Sequence, residues 1–248
     1  VEILDETDDW IVVDKPAPLL VYRSKPAQTE SLLDQLQDLL VYEIANGGQI
    51  SVVTRLDRET SGVCLFAKHA EAARLLGKAM QAHQFRKTYR ALCWGWPEAE
   101  AWIEEGRLRR EGEIREGVAV YVKQCVDPEG GGNEARTDFT VIEKFEAETS
   151  NGRRFSLVEA APTTGRTHQI RVHLAHAGFP IVGDKLYGLP GETGYLRHIE
   201  EGWTTALAKE LLLPRQALHA TRLEWPERGL CWEAPWPAEL QLAGVPGA

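Results

Sequence analysis

Short runs of apolar residues, alternating or continuous, make up most of the chain, and three segments instead repeat apolar positions every three or four residues. The first runs are Ile3-Leu4 and Trp10 to Val13, separated by the acidic stretch Asp5 to Asp9, which predicts an opening hairpin. Lys15-Pro16-Ala17-Pro18 ends its second strand, because proline has no ladder donor. Leucines 32, 33, 36, 39 and 40 form a helical stripe over Ser31 to Leu40, with Ser31 or Thr29 as N-cap. Asn46-Gly47-Gly48 breaks the chain before a short strand, Ile50 to Thr54, and Val63 to Lys68 continues as another. A second helix is predicted over His69 to His83, with Ala72, Leu75, Leu76, Ala79 and Met80 on its apolar face.

Lys87 to Trp94 alternates, so period two puts Tyr89, Ala91 and Cys93 on one face and Thr88, Arg90, Leu92 and Trp94 on the other. Pro97 to Glu134 offers weak strands and charged turns, with Gly130-Gly131-Gly132-Asn133 as a mobile turn. Phe139 to Phe145 and Arg154 to Ala160 read as paired strands joined by Ser150-Asn151-Gly152. A third helix runs from about Thr167 to Ala177, its buried side formed by Ile170, Leu174 and Ala177, with Gly178 at C′ and Pro180 two residues beyond. After a looser stretch, Ala217 to Glu224 and Leu230 to Glu233 supply the last strands. These elements predict one α+β domain over residues 1–248 with a mixed, mostly antiparallel central sheet.

Composition narrows the class of protein. A chain of 248 residues can bury a large core, and no apolar run approaches the length that crosses a bilayer. The start, Val1-Glu2-Ile3-Leu4-Asp5, is acidic and reads as a strand, not a leader, and the missing initial Met leaves room for residues upstream. Cys64, Cys93, Cys125 and Cys231 are scattered, without a C-x-x-C pair, which favours reduced thiols, a cytoplasmic location and no zinc site. The net charge of −9 argues against nucleic acid, yet Arg55, Arg58, Arg86, Lys87, Arg90, Arg166, Arg171 and Lys185 accompany the polar motifs. That distribution predicts a basic cleft on an acidic body.

Two polar segments carry the chemistry. In Arg55-Leu56-Asp57-Arg58-Glu59-Thr60-Ser61-Gly62 one carboxylate sits between two arginines and runs into a turn and an apolar strand. A carboxylate beside positive charge stays ionised at neutral pH, which suits a nucleophile or electrostatic stabiliser better than a general acid. The plain alternative is a solvated salt-bridge turn. The second segment, Thr163 to Leu174, packs two arginines, two histidines, a glutamine and three threonines around a short helix.

Together these segments resemble the RluA family of pseudouridine synthases. Its pattern of R-L-D with T-S-G, then K-x-Y, then G-R-x-H-Q-I-R, then G-x-P-I-x-G-D is matched in order. Arg55-Leu56-Asp57 with Thr60-Ser61-Gly62 comes first, followed by Lys87-Thr88-Tyr89. Gly165 to Arg171 and Gly178 to Asp184 complete it, and the likeness extends from Asp14-Lys15-Pro16 to Leu218-His219-Ala220. The resemblance implies the pseudouridine synthase fold, with helices and loops around a catalytic cleft. It also implies isomerisation of uridine in ribosomal or transfer RNA, by C1′–N1 cleavage and C1′–C5 rejoining, with no metal or redox cofactor. Asp57 would be the catalytic carboxylate, acting as nucleophile or as base on the 2′ proton. Tyr89 would stack on the uracil, and Arg166 would pair with Asp57. Arg55 would fill the space left by the flipped base. His168, Gln169 and Arg171 would line the base pocket or contact phosphates, Ile170 would join them, and Lys15 with Pro16 would pack behind Tyr89. The family usually works as a monomer and often carries a small RNA-binding domain ahead of the catalytic one, and none is visible here. Thr54 departs from the family, which commonly has histidine before R-L-D.

Several residues also have a purely structural reading. Tyr89 alone fits a core tyrosine, and His173 with His176 fits a solvated helix face better than a metal site. Asp184 fits a turn residue accepting from backbone amides, and Trp94, Trp96, Trp225, Trp232 and Trp236 fit core and edge packing. Two rival functions stand beside this one: an RNA-binding protein without catalysis, which needs no set such as Asp57, Tyr89 and Arg166, and an N-glycosidic hydrolase, which would release free uracil.

Overall fold

The computed structural model describes residues 1–24, 29–149 and 154–241, so the predicted Ser150-Asn151-Gly152 connection lies outside the described residues. The chain opens with β1 (Glu2–Glu6), β2 (Trp10–Lys15), α1 (Leu32–Leu39), α2 (Val41–Ala45), β3 (Ser51–Val52), β4 (Ser61–Ala67) and α3 (Ala70–Gln81). It continues with β5 (Arg86–Trp94), β6 (Ala101–Arg110), β7 (Gln124–Val126), β8 (Asn133–Glu146), β9 (Arg154–Pro162) and α4 (Gln169–His176). Then follow α5 (Glu192–Glu201), α6 (Thr205–Leu211), β10 (Leu218–Trp225) and β11 (Leu230–Glu233). The contacts group into two compact units, one of residues Val1–Lys87 with His219–Pro235, the other of Thr88–Leu218 with Trp236–Ala248. No described helix is long and apolar enough to cross a membrane.

In the first unit the strands run β1-β2-β4-β10, with β3 beside β4 and β11 beside β10. All of these pairs are antiparallel except β4 with β10. β4 is buried along its whole length, which explains its continuous apolar sequence. One of its faces packs with α3 residues and Trp225 and Trp232, the other with α1 leucines and Val21. Ser31 caps α1 in a full capping box with Asp34, choosing between the two predicted caps. Both hydrogen bonds to Ser31, from its side chain first and its amide second, hold the Asp34 carboxyl below the usual range. The indole N–H groups of Trp10 and Trp232 both donate to Asp5 Oδ2, at 3.0 and 2.7 Å.

The second unit is a fully antiparallel sheet in the order β5-β9-β8-β6-β7. Its core gathers Phe139, Phe155, Trp94, Leu92 and Leu174. Trp96 ties the paired ends of β8 and β9 by donating to the carbonyls of Phe145 and Phe155, at 3.2 and 3.0 Å. The turn at Gly130 to Gly132 is built on buried Asp127, which accepts from the amides of Glu129 (2.9 Å) and Gly131 (2.8 Å).

Four expectations are corrected. The looser stretch before β10 contains α5 and α6, joined by Arg197 donating to both Glu210 oxygens, at 3.0 and 2.9 Å. Only Gly194 of α5 is buried, so no apolar stripe announces that helix. The region Pro97 to Glu134 holds the ten-residue β6, whose outward charges hide its alternation. Leu75 is 43% exposed, off the buried face of Ala72, Leu76 and Ala79. His173 is not on a solvated face: it is fully buried, with Nδ1 2.9 Å from Thr137 Oγ1 and Nε2 without a hydrogen-bond partner. Residues Gln169 to Leu174 are all buried, because α4 is enclosed on nearly every side. Cys64 and Cys93 are buried free thiols as predicted, and burial pushes Cys64 up to about 12.

Burial, and secondarily His176, lowers the pKa of His173 to about 4 from an ordinary 6.5. Below pH 6.5 the unfolded chain therefore binds a proton that the folded chain refuses. Stability present above that pH should fall as acid is added, by roughly 3 kcal/mol in total, and the loss should level off below the folded value. Urea denaturation across this range should show the slope in the parent protein and a flatter profile in His173→Gln. An unchanged slope in the variant would assign the effect elsewhere.

Candidate active site

The carboxylate-bearing loop of the first unit is braced from several sides. Buried Lys15, on β2, donates from Nζ to the carbonyls of Leu19 (2.8 Å), Pro16 (3.0 Å) and Arg58 (3.3 Å). An ammonium without water needs acceptors, and three carbonyls around one point hold the turn after β2 against the residue following Asp57. The Leu19 amide donates to the same Arg58 carbonyl at 2.9 Å, and the Thr60 amide closes the turn onto the Asp57 carbonyl at 3.1 Å. On the other side Thr54 Oγ1 accepts from the Leu65 amide at 2.9 Å. The threonine that replaces the family's histidine therefore braces the start of this loop on β4.

The end of the loop is fixed by packing. Gly62 has φ +112°, and a Cβ there would lie 2.2 Å from the Ala220 carbonyl oxygen, so only glycine lets β4 approach β10. Buried His219 lies 2.8 Å from Ser61 Oγ through Nδ1 and 3.3 Å from the Ala234 carbonyl through Nε2. The carbonyl can only accept, so Nε2 donates, and in a neutral ring Nδ1 takes the Ser61 proton. Asp57 itself is half-buried and Arg55 and Arg58 are exposed.

Tyr89 lies on β5 opposite Ala160 of β9, half-buried against the core of the second unit. Lys87, two residues earlier, has no hydrogen bond or ion pair among the described residues, and burial lowers its ammonium pKa. Arg166 is exposed on the loop between β9 and α4, and its Nε donates to the Glu134 carbonyl at 2.9 Å. The support of that loop is Gln169. Its Oε1 accepts from the Arg166 amide (3.0 Å) and Thr164 Oγ1 (2.7 Å), while its Nε2 donates to the Arg136 carbonyl (2.9 Å) and Thr137 Oγ1 (3.0 Å). All four positions of a buried amide are filled, so Gln169 clamps the arginine loop to β8 instead of lining a base pocket.

His168 adopts the left-handed conformation (φ +57°) just before α4, with Nδ1 2.9 Å from the Tyr187 hydroxyl. That hydroxyl accepts from the Gln124 amide at 2.8 Å, and the Arg171 guanidinium lies 4.9 Å above the Tyr187 ring. Arg171 grips buried Asp184 with two hydrogen bonds of 2.7 and 3.0 Å, and Asp184 also accepts from the amides of Leu186 and Tyr187. Burial alone would raise the Asp184 carboxyl, but Arg171 and the two amides hold it below the usual range. Asp184 is thus the turn residue predicted, with an ion pair that was not.

The structure redistributes the predicted basic residues. Arg171 is buried in its pair with Asp184, and Lys185 is buried with Nζ donating to the Pro214 carbonyl. Ile170 is buried in the core of the second unit. Thr137, Thr164 and Tyr187 carry the supporting network; Thr164 lies in the polar segment before α4, whereas Thr137 and Tyr187 had no distinguishing signal in the sequence. Trp94, Trp225 and Trp232 are buried packing residues as expected.

A family model described as RNA pseudouridylate synthase matches residues 9–176. The chain is 35% identical over 243 residues to ribosomal large subunit pseudouridine synthase D of Pseudomonas aeruginosa, covering 96% of this chain and 69% of that protein. It is 30% identical over 254 residues to tRNA pseudouridine synthase C of Pectobacterium carotovorum, covering 99% of this chain and 63% of that protein. Among solved structures it resembles human RNA pseudouridylate synthase domain containing 1, with a TM-score of 0.68 and 25% identity over 95% of this chain and 82% of that one. The fold of human RNA pseudouridylate synthase domain containing 4 is also similar, with a TM-score of 0.70 and 24% identity over 96% of this chain and 90% of that one. The motifs on the Asp57 loop, on β5 and at the start of α4 all lie inside the matched residues, and the chain belongs to the RNA pseudouridylate synthase family, whose members isomerise uridine within RNA.

Proposed function

We propose that this chain converts specific uridines of ribosomal or transfer RNA to pseudouridine, with Asp57 as the catalytic carboxylate. The observation that carries this reading is the construction of the Asp57 loop. Lys15, Thr54, the Ser61–His219 bond and the close approach at Gly62 hold the backbone on both sides of a carboxylate that remains half-buried. A loop that rigid preorganises a group for attack or proton removal at the ribose, which a surface salt-bridge turn does not require.

In this reading both units serve one catalytic domain, which works as a cytoplasmic monomer and uses neither metal nor redox cofactor. Tyr89 stacks on the uracil, Arg166 supports the charge of Asp57, and Arg55 occupies the place of the flipped base. His168 contacts the substrate with its ring held by Tyr187. Lys15, Gln169, Ile170 and Arg171 act through others: Lys15 on the Asp57 loop, Gln169 on the Arg166 loop, and Ile170 and Arg171 by seating α4. The reaction breaks C1′–N1, turns the uracil, and forms C1′–C5 before the C5 proton leaves, so substrate and product have the same atoms.

RNA carrying tritium at uridine C5 tests the assignment. The parent protein should release tritium to water without free uracil, and Asp57→Asn should release none while keeping its fold and RNA affinity. An active Asp57→Asn protein would remove Asp57 from the chemistry, and free uracil would replace isomerisation with hydrolysis. Arg166→Ala should lower kcat/KM by more than 100-fold, about 3 kcal/mol of transition-state stabilisation. Near-parent kinetics there would dismiss its electrostatic role. Gln169→Glu turns two donors into acceptors facing the Arg136 carbonyl and Thr137, so kcat should fall at least ~10-fold with RNA affinity little changed. A collapse of affinity with kcat intact would make Gln169 a substrate contact instead.

A further inference from the structure

On the second unit several exposed or half-buried arginines are spent on neighbouring carboxylates. Arg107, Arg109, Arg110, Arg115 and Arg136 each have a Glu or Asp oxygen within 3.8 Å. Such cations offer little to a polyanion, because binding it means first separating an existing pair. In an acidic chain with a net charge of −9, cations left without carboxylates are therefore informative.

The first unit has such a group, centred on α3 and reaching to the residue before Lys87. Arg74 and Lys78 lie on the exposed side of α3, one turn apart at i and i+4, about 6 Å along the axis. Neither has a hydrogen bond or ion pair among the described residues. The acidic residue of this helix, Glu71, is in its first turn, and the remainder of α3 is apolar or cationic apart from Gln81. His83, in the left-handed conformation, ends the helix, and the Gln84 amide returns to the Ala79 carbonyl at 3.0 Å. That closure keeps the following residues beside the last turn, and Phe85 is buried beside Trp225. Arg86, next in the chain, is exposed and likewise lacks a hydrogen bond or ion pair among the described residues. Buried Ala72, Leu76 and Ala79 hold the opposite side of the helix on the sheet, so the helix presents these cations from a fixed base.

We propose that Arg74, Lys78 and Arg86 form a docking strip for the RNA phosphate backbone away from the target uridine. The inference rests on the RNA-modifying reading above and adds a surface to it. Long, mobile cationic side chains without hydrogen-bonded geometry contact phosphates rather than base edges, so the strip adds affinity without sequence preference. It would hold the region of RNA flanking the flipped nucleotide while the chemistry proceeds at Asp57.

The test is the salt dependence of RNA binding by the parent protein and by Arg74→Gln/Lys78→Gln/Arg86→Gln, a variant that keeps good helix formers at the two α3 positions and a polar side chain at the exposed start of β5. Loss of three phosphate contacts should reduce the slope of log K against log salt by about 2. The variant should bind at least ~10-fold more weakly at low salt, with kcat for tritium release at saturating RNA unchanged and the thermal midpoint close to parent. Equal slopes and affinities in the two proteins, with tritium release intact, would overturn the strip and leave the isomerase reading standing. A reduced slope in the variant beside a parent protein that releases no tritium would keep the strip and sink the isomerase reading. A parent protein that fails to bind RNA would overturn both.

Discussion

The buried pair of Arg171 and Asp184 is the contact on which the second unit's polar machinery depends. A carboxylate with no exposure is tolerated only when its charge is compensated and its lone pairs are filled, and Arg171 with the Leu186 and Tyr187 amides does both. Removing one partner of such a pair costs about 3–5 kcal/mol, because the other is left charged in a dry place. The pair joins α4 to the turn that follows it and thereby places the Tyr187 ring under the same guanidinium. From Tyr187 the order spreads to His168 and to the Gln124 amide on β7. One electrostatic contact thus sets the angle at which the first residues of α4 meet the sheet.

Much of the fold was legible because its strands follow simple rules. β2, β4, β5, β8, β9, β10 and β11 lie where runs or alternations of apolar residues predicted them, and Ser31, Gly178 and Pro180 mark helix ends by local chemistry alone. The failures have a common cause. α5 rests on the protein by so little buried surface that its sequence is polar nearly all round, and no stripe marks it. α4 fails in the opposite sense, since a helix enclosed on most sides buries a histidine as readily as a leucine. Periodicity describes half-buried elements and loses its meaning at both extremes.

The candidate site was legible as a set of residues and much less so as a set of roles. Asp57, Tyr89 and Arg166 were found by motif. The motif did not tell a side chain that meets substrate from one that holds another in place. Gln169 and Arg171 are polar and belong to the signature, yet both are buried with hydrogen bonds directed into the protein. Thr54 illustrates the reverse case. It departs from the family pattern, and its hydroxyl supplies the brace by accepting the Leu65 amide. Charge behaved similarly: Lys185 was counted toward a basic cleft and is buried, whereas Arg74 and Lys78 drew no notice in the sequence because helical cations are common.

The first unit is assembled from two stretches of chain separated by more than a hundred residues, and this bears on its birth at the ribosome. Its parallel pair needs His219 and Ala220 beside Ser61 and Gly62, and Asp5 needs Trp232 as well as Trp10. When residue 87 leaves the exit tunnel, β4 has no β10 beside its Ser61–Gly62 end and must wait while nearly all of the second unit is translated. At about 5–20 residues per second the wait lasts several seconds, long on the timescale of strand pairing. The nascent Asp57 loop therefore passes through synthesis without its last brace, and its carboxylate is set in place only as the final strands emerge.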